Sequence, residues 1–349
     1  MKKLSRVPKQ MRETVGIDLG DKVSRYCIVD PDGEVMEEGS FRNQASSLEK
    51  HFGDQPRRIA LEAGAQSAWI SRELKRLGHE VIVANPRELN WITASDAKND
   101  PADARKLALL ARADVRLLAP VEHRTPNSKR NWAVIRARDA ILRARTLLIN
   151  SARSIAKGFG LRLPKSITGT FGERAVDALP EFLRTALTGL LKQIDALSQA
   201  IAGYDQQIAG LAAKHPELVG LESIPGVGRL TAMTFVLTLG RADRFAHSRD
   251  VAGFLGLRPK QRQSGARDPQ LGISKSGDPY LRKLLVQCAH HILGHYGKDS
   301  ALRQWGLAKS AGGKKATLRA IVAVARKLSV LLHRLWVSGE FYKPFPKMA

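Results

Sequence analysis

Short apolar runs alternating with polar turns fill residues 14–84, and that rhythm restricts the chain to one class of architecture. Residues 14–19 and 24–29 alternate as buried strands, and Asp32-Gly33 makes a hairpin turn into a third run at 34–41. A short helix fits 45–51, a fourth strand 58–62, an amphipathic helix 67–77 and a fifth strand 80–84. Strands interleaved with helices in this order bury each helix stripe against a sheet face, which is the pattern of an α/β domain. Asp100 then reads as a helix cap with Pro101 at the first helical position, and the helix is expected through 102–112.

Beyond Pro126 the pattern becomes helical. Residues 131–157 carry Trp132, Ile135, Leu142, Leu148, Ile149 and Ile155 on one stripe. A second stretch, 173–213, is expected to break at Pro180 and Gly189, with Leu191, Ile194, Leu197, Ile201 and Ile208 at helical spacing in its later half. Two such helices suggest an antiparallel hairpin, a coiled coil that can oligomerise. After His215-Pro216 a third region begins, with helices expected at 229–239, 279–293 and 317–337. The expected division is an α/β domain at 1–128, a basic helical region at 129–217 and a mostly helical domain at 218–349.

Charge narrows the partners. In 349 residues, 57 Lys and Arg stand against 33 Asp and Glu, a net +24. Half of that excess is local: residues 104–170 hold 15 basic residues and 3 acids, a net +12. A polyanion is the leading partner. An acidic membrane is the weaker alternative, since no long apolar run or signal-peptide pattern is present. Residues 2–12 read as a short basic arm. Cys27 and Cys288 each stand alone in apolar stretches, which suits core thiols in a reducing cytoplasm rather than a disulfide or zinc site.

Against this basic background four acids stand where a sheet of this kind gathers side chains. Asp18 follows Val-Gly-Ile and Glu62 follows Ala-Leu, each near the end of an apolar strand. Strand ends of open α/β sheets face the ligand crevice. Asp100 and Asp103, in Lys-Asn-Asp-Pro-Ala-Asp-Ala, lie one helical turn apart. Carboxylates do not help a surface bind phosphates, but four together suit a pair of Mg²⁺ or Mn²⁺ ions roughly 3.5–4 Å apart. Alone, Asp100 would be a plain cap; Asp96 reads as solvated surface. The run Gly16 to Gly20 also resembles the first phosphate loop of actin-like sugar kinases and chaperone ATPases. The further glycine-rich loops those proteins need are missing.

Two later segments carry chemistry. Ile224-Pro-Gly-Val-Gly228 resembles a helix-hairpin-helix turn, in which Gly226 and Gly228 let helix-terminal amides approach a phosphate; a plain turn fits the pattern too. The stretch 258–277 is basic and punctuated by glycine, with Arg258, Lys260, Arg262, Arg267 and Lys275 as candidate backbone contacts. Ser264 there has no visible turn role and could attack a phosphodiester beside stabilising guanidinium groups. Ser276 reads as turn chemistry before the helix start at Asp278-Pro279. His290, His291 and the tryptophans 132, 305 and 336 suit packing, and no tyrosine has the Arg…His-x-x-Arg company of a tyrosine nucleophile.

Together, Gly-Ile-Asp18, Leu-Glu62-Ala, Asn-Asp100-Pro-Ala-Asp103-Ala, Ile-Pro-Gly-Val-Gly, Gly-Leu-Arg-Pro, Ser264-Gly265, Gly-Ile-Ser-Lys-Ser-Gly and Tyr-Leu-Arg-Lys-Leu-Leu resemble the DEDD-type (Piv/MooV-like) transposases of the insertion-sequence 110/1111 family over nearly the whole chain. Asn99 stands where relatives commonly have a small hydroxyl residue. The resemblance implies a ribonuclease-H-like (RuvC-like) N-terminal domain, a coiled-coil linker and a C-terminal transposase domain. It implies a DNA transposase and recombinase in which Asp18, Glu62, Asp100 and Asp103 hold Mg²⁺ and Ser264 is the nucleophile. It further implies donor and target double-stranded DNA, a structured guide RNA from the element's end, and a homo-tetramer. The residues also leave open a Mg²⁺-dependent junction nuclease that uses water, and a non-catalytic nucleic-acid-binding protein.

Overall fold

β1 (Thr14–Asp18), β2 (Val23–Val29) and β3 (Val35–Arg42) follow one another as an antiparallel meander. The turn between β2 and β3 is held by Asp30, whose carboxylate accepts from the backbone amides of Asp32, Gly33 and Glu34. β4 (Arg58–Glu62) joins the free side of β1 in parallel and β5 (Glu80–Ala84) extends the sheet in parallel beyond it, in the order β3-β2-β1-β4-β5. Parallel neighbours need crossover connections, and α1 (Ala45–Phe52) and α2 (Ser67–Arg76) supply them. The computed structural model describes residues 13–86, 89, 100–163, 168–261, 269 and 271–345, except the side chains of Asp100, Pro101 and Thr168. The basic arm, Asp96, Arg262, Ser264 and Arg267 lie outside those residues.

Period-two alternation sorts the sheet into two buried faces. Val15, Ile17, Ile59 and Leu61 pack against Leu48 and Phe52 of α1 and Ile70 and Leu74 of α2. On the other face, Cys27 and Val29 pack with Ala104 and Ala108, and Ala60 and Ala84 with Leu107 and Ala111, all from α3 (Asp100–Ala113). Asp100 is the first described residue of the helix, and its expected capping side chain lies outside what is described. This mixed five-stranded sheet, followed by helices, is consistent with the ribonuclease-H-like expectation.

The chain divides into two compact units, residues 1–123 and 124–349. The second opens with α4 (Pro126–Gly158), started by Thr125, whose side chain accepts from the Ser128 amide, and by Pro126 in the first turn. α5 (Phe171–Asp177) leads to α6 (Glu181–Ala212), which runs antiparallel along α4: Arg138 pairs with Asp205 at 2.6 Å and Arg145 donates to Ser198 at 3.1 Å. The expected break at Gly189 does not occur. Gly189 lies on the exposed side, and the buried stripe Leu183, Leu187, Leu191 and Ile194 continues past it. A solvent-facing glycine costs a helix only about 1 kcal/mol, so tertiary packing carries α6 through.

The remaining helices are α7 (Leu218–Glu222), α8 (Arg229–Leu239), α9 (Ser248–Phe254), α10 (Pro279–Leu293), α11 (Ala301–Ser310) and α12 (Lys314–Ser338). They enclose one core in which α8 is buried along almost its entire length. Trp132 packs edge-on to Tyr280 and Trp336 to Phe235, in line with their expected packing roles. Cys27 and Cys288 are free and buried; burial and then Glu38 push the Cys27 thiol up to about 11, and burial raises Cys288 too. Both therefore stay protonated and inert near neutral pH. Among the described residues no helix is long and apolar enough to cross a membrane.

In the first unit α3 and β1 come together at backbone distance. A Cβ placed on Gly16 would lie 2.0 Å from the carbonyl oxygen of Ala104 and 2.5 Å from the amide nitrogen of Ala108, so helix backbone rests directly on the strand. Gly16→Ala is expected to lift α3 and to destabilise the protein by about 3 kcal/mol or more, at the top of the usual overpacking range because both obstacles are backbone. Urea denaturation checks this, and an unchanged midpoint would mean that α3 is not seated on β1.

Candidate active site

Asp18 and Glu62 reach the same edge of the sheet by register. Ile17 is opposite Leu61 across the parallel β1–β4 pair, so the next residue of each strand, Asp18 and Glu62, emerges side by side at the strands' C-terminal ends. Alternation puts both on the face that carries Gly16 and Ala60, the face covered by α3. The direction of α3 then decides where Asp103 lies. Arg112, near the helix end, donates to the Pro31 carbonyl at 2.6 Å, and the Ala111 carbonyl accepts from Arg58 at 3.2 Å. Pro31 and Arg58 mark the edge where β1 and β4 begin. The helix is therefore antiparallel to both strands, and its first turn, with Asp100 and Asp103, lies at the edge of Asp18 and Glu62.

Side-chain clasps fix the loops that leave this edge. Asn43 donates to the carbonyls of Gly20 at 2.8 Å and Asp21 at 3.3 Å, and is held by the Ser24 hydroxyl at 2.6 Å. Gln66 donates to the same two carbonyls, tying the loop after β1 to the start of α2. The loop after Glu62 is closed by Ser67, which accepts from the Gly64 amide at 2.9 Å and donates to the Gly64 carbonyl at 2.8 Å. Asn43 and Gln66 do not stand out in the sequence. A polar residue far along the chain gives no local sign that its partner is a loop carbonyl.

Asp103 is mostly buried and pairs with Lys106 at 3.4 Å, one turn on. The carboxylate oxygens that Asp18, Glu62 and Asp103 bring to this edge are hard donors of the kind Mg²⁺ or Mn²⁺ prefers. Among the described residues no group of three or more His, Cys, Asp or Glu is placed to hold a metal ion. An open arrangement of this kind still fits Mg²⁺, which is commonly held by one or two carboxylates with substrate phosphates completing its shell.

In the second unit two described arms, residues 258–260 and 272–274, pair on either side of the segment that contains Ser264. Pro259 bridges Ile273, the Lys260 amide donates to the Gly272 carbonyl, and the Ser274 amide donates to the Arg258 carbonyl, both at 2.9 Å. Ser264, Arg262 and Arg267 belong to the segment between these arms, outside the described residues, while Arg258, Lys260 and Lys275 are exposed or half-exposed on the arms. Lys275 adopts φ +56°, an uncommon left-handed conformation for a residue with a side chain, and its amide donates to the Gly256 carbonyl at 3.0 Å. One guanidinium nitrogen of Arg282 donates to three carbonyls next to these arms: Ser276 at 2.6 Å, Gly277 at 3.0 Å and Leu255 at 3.1 Å. Asp278 caps α10 through the amides of Tyr280 and Leu281 and pairs with Arg124 at 3.6 Å. The Ser276 hydroxyl bonds with that of Ser274 and its carbonyl joins this clamp, while the cap of the following helix is Asp278.

The two turn glycines have different surroundings. Gly226, at φ +93°, lies under α10, and a Cβ there would meet His291 at 2.9 Å and Ile292 at 3.2 Å, so its backbone conformation and its close packing both favour glycine. Gly228 begins α8 in open space, with nothing within 4 Å of the Cβ position.

Known transposases match the chain along most of its length. Residues 220–305 match the family model described as the transposase IS116/IS110/IS902 family, and residues 15–160 match a DEDD transposase model of the IS110 type. The chain is 31% identical to the transposase for insertion sequence element IS1328 of Yersinia enterocolitica, over 66% of this chain and 69% of that protein. It is 27% identical to the IS1111A transposase of Coxiella burnetii, over 94% and 91% of the two chains. A probable family 20 transposase of Pseudomonas aeruginosa is likewise 27% identical, over 95% and 98%.

Arg282→Met is expected to release the carbonyls of Leu255, Ser276 and Gly277 and to cost about 2–4 kcal/mol, since hydrogen bonds from a charged donor contribute more than neutral ones. Urea denaturation reads the effect, which Arg282→Lys should recover in part. If Arg282→Met were as stable as the parent protein, the clamp would carry no weight.

Proposed function

The chain belongs to the IS110 family of DEDD transposases, and from that premise we propose that it cuts and rejoins insertion-sequence DNA by a serine-dependent exchange directed by a structured RNA. Transposases of this family are enzymes that cut and rejoin DNA. The observation that carries the mechanism furthest is the convergence of Asp18, Glu62 and the first turn of α3 on one sheet edge. Asp18, Glu62, Asp100 and Asp103 are the residues that would hold Mg²⁺ there. Bound, the ion would neutralise charge at the scissile phosphate.

In the proposed exchange the Ser264 hydroxyl oxygen bonds to the scissile phosphorus and one strand's P–O ester bond breaks. The departing oxygen takes up a proton, and the serine proton passes to solvent or to a carboxylate. A hydroxyl of another strand then attacks the phosphoserine and restores the free serine. Each step trades one phosphoester bond for another, so rejoining needs no energy source. The cationic arms, Arg258, Lys260 and Lys275, with Arg262 and Arg267, would hold the phosphate backbone; Gly226 and Gly228 would bring amides near it. Serine and acids fall in separate compact units, which suits an active site assembled between subunits of a tetramer through α4 and α6. Base pairing by a guide RNA would supply sequence choice to a chain with much backbone-binding charge.

Ser264→Ala is expected to abolish a covalent protein–DNA adduct, trapped by denaturing gel electrophoresis, together with strand exchange. Asp18→Asn and removal of divalent metal should each lower exchange by on the order of 100-fold or more. Cutting by Ser264→Ala at the parent rate, without an adduct, would establish the junction nuclease instead. Undiminished exchange in an Asp18→Ala/Asp103→Ala protein would remove the acids from the chemistry. Sequencing the co-purifying RNA tests guidance: an element-derived species is expected, and its absence would contradict it.

A further inference from the structure

Between Asp299 and Glu340 the chain contains no acid, yet it holds 8 Lys and Arg residues. Most of these residues belong to α12, and two clefts flank that helix. One, of about 890 Å³, lies between α11 and α12 and includes Lys309, Lys315 and Arg319. The other, of about 1070 Å³, lies between α12 and the C-terminal segment 340–345 and includes Arg334 and Lys343. Arg326 and Lys327 line both, so the two clefts meet end to end along the helix. These cations are exposed, and none pairs with a carboxylate among the described residues. Among the described residues Glu340 is the one acid in either lining.

The C-terminal segment is a fixed strap. Tyr342 donates its amide to the Ser223 hydroxyl at 2.9 Å and packs on the core, and the Pro344 carbonyl accepts from the Ala301 amide at 2.9 Å. Phe341 and Phe345 flank these ties and are 61% and 55% exposed at the wall of the larger cleft. Two aromatic rings held in solvent by a tethered backbone are preorganised contact surfaces. Trp305 differs: Lys327 covers its ring at 3.8 Å and Lys309 at 5.2 Å, so it anchors cations.

We propose that the joined clefts form one groove for a single-stranded stretch of nucleic acid, with phosphates along Lys315, Arg319, Arg326 and Lys327 and bases on Phe341 and Phe345. A row of cations beside exposed aromatic faces is the pairing that single strands require, because only unpaired bases present their faces for stacking. From Lys315 to Arg326 the helix rises about 16 Å, at about 1.5 Å per residue, which is long enough for several consecutive phosphates. α12 and the strap lie beyond both matched regions, 15–160 and 220–305. The groove rests on the reading of this chain as a protein that handles nucleic acid, not on Ser264 or the acids.

Fluorescence anisotropy of the full-length protein with labelled oligothymidine, oligouridine and a duplex of equal length tests the groove. Lys315→Gln/Arg319→Gln/Arg326→Gln should weaken single-strand binding and flatten the slope of log K against log salt by about 2, roughly 0.7 for each phosphate no longer neutralised. Phe341→Ala/Phe345→Ala should weaken it by about 5-fold or more, with Phe341→Tyr/Phe345→Tyr restoring it. The duplex should be weakened less than either single strand. A larger effect with oligouridine would assign the bound strand to RNA, and one with oligothymidine to DNA. Unchanged binding in both variants, or equal weakening with the duplex, would overturn the proposal. So would a changed sedimentation coefficient with intact oligonucleotide binding, which would make the face a protein contact. Parent protein that bound no oligonucleotide would count against the nucleic-acid reading as a whole.

Discussion

The first unit depends on the seating of α3 on Gly16 of β1. Gly16 has no side chain and Ala104, Ala108 and Ala111 have small ones, so the helix comes down until its backbone meets the strand. At that distance the helix has little freedom to slide or rotate, because interiors are close-packed. Its antiparallel direction puts its first turn, and Asp103, at the edge where Asp18 and Glu62 leave the sheet. A larger residue at position 16 would leave the acids in the sequence but separate them in space.

The second unit uses charge for the same purpose. A guanidinium with three carbonyl acceptors, a capping aspartate and a second arginine beside it fix the chain next to the paired arms 258–260 and 272–274. On the reading proposed above, the two units supply separate halves of the chemistry: carboxylates on a sheet edge, and a serine from the segment between two paired arms.

Much of this is legible in the sequence, and the exceptions have physical causes. β1 to β5 are readable because each strand alternates or stays apolar between turn residues. Asp18 and Glu62 stand out as acids ending such runs, and Asp278-Pro279 announces α10. Gly189 misleads, since the sequence shows the glycine and not the tertiary packing that carries α6 through it. The clasps of Asn43 and Gln66 join loops far apart along the chain, and Arg282 looks like surface charge until its carbonyl partners are placed. Gly16 reads as part of a loop motif, whereas its role is set by a helix some ninety residues later. Ser264 is identified by motif, and it lies outside the described residues.

If α3 brings its acids to the edge of β1 and β4, that edge can hold a divalent ion against DNA. Electron paramagnetic resonance of Mn²⁺ titrated into the full-length protein with DNA tests this most directly. A bound Mn²⁺ population is predicted, one that Ser264→Ala retains and that both Asp18→Asn and Glu62→Gln abolish. Undiminished Mn²⁺ binding in Asp18→Asn and Glu62→Gln would contradict it.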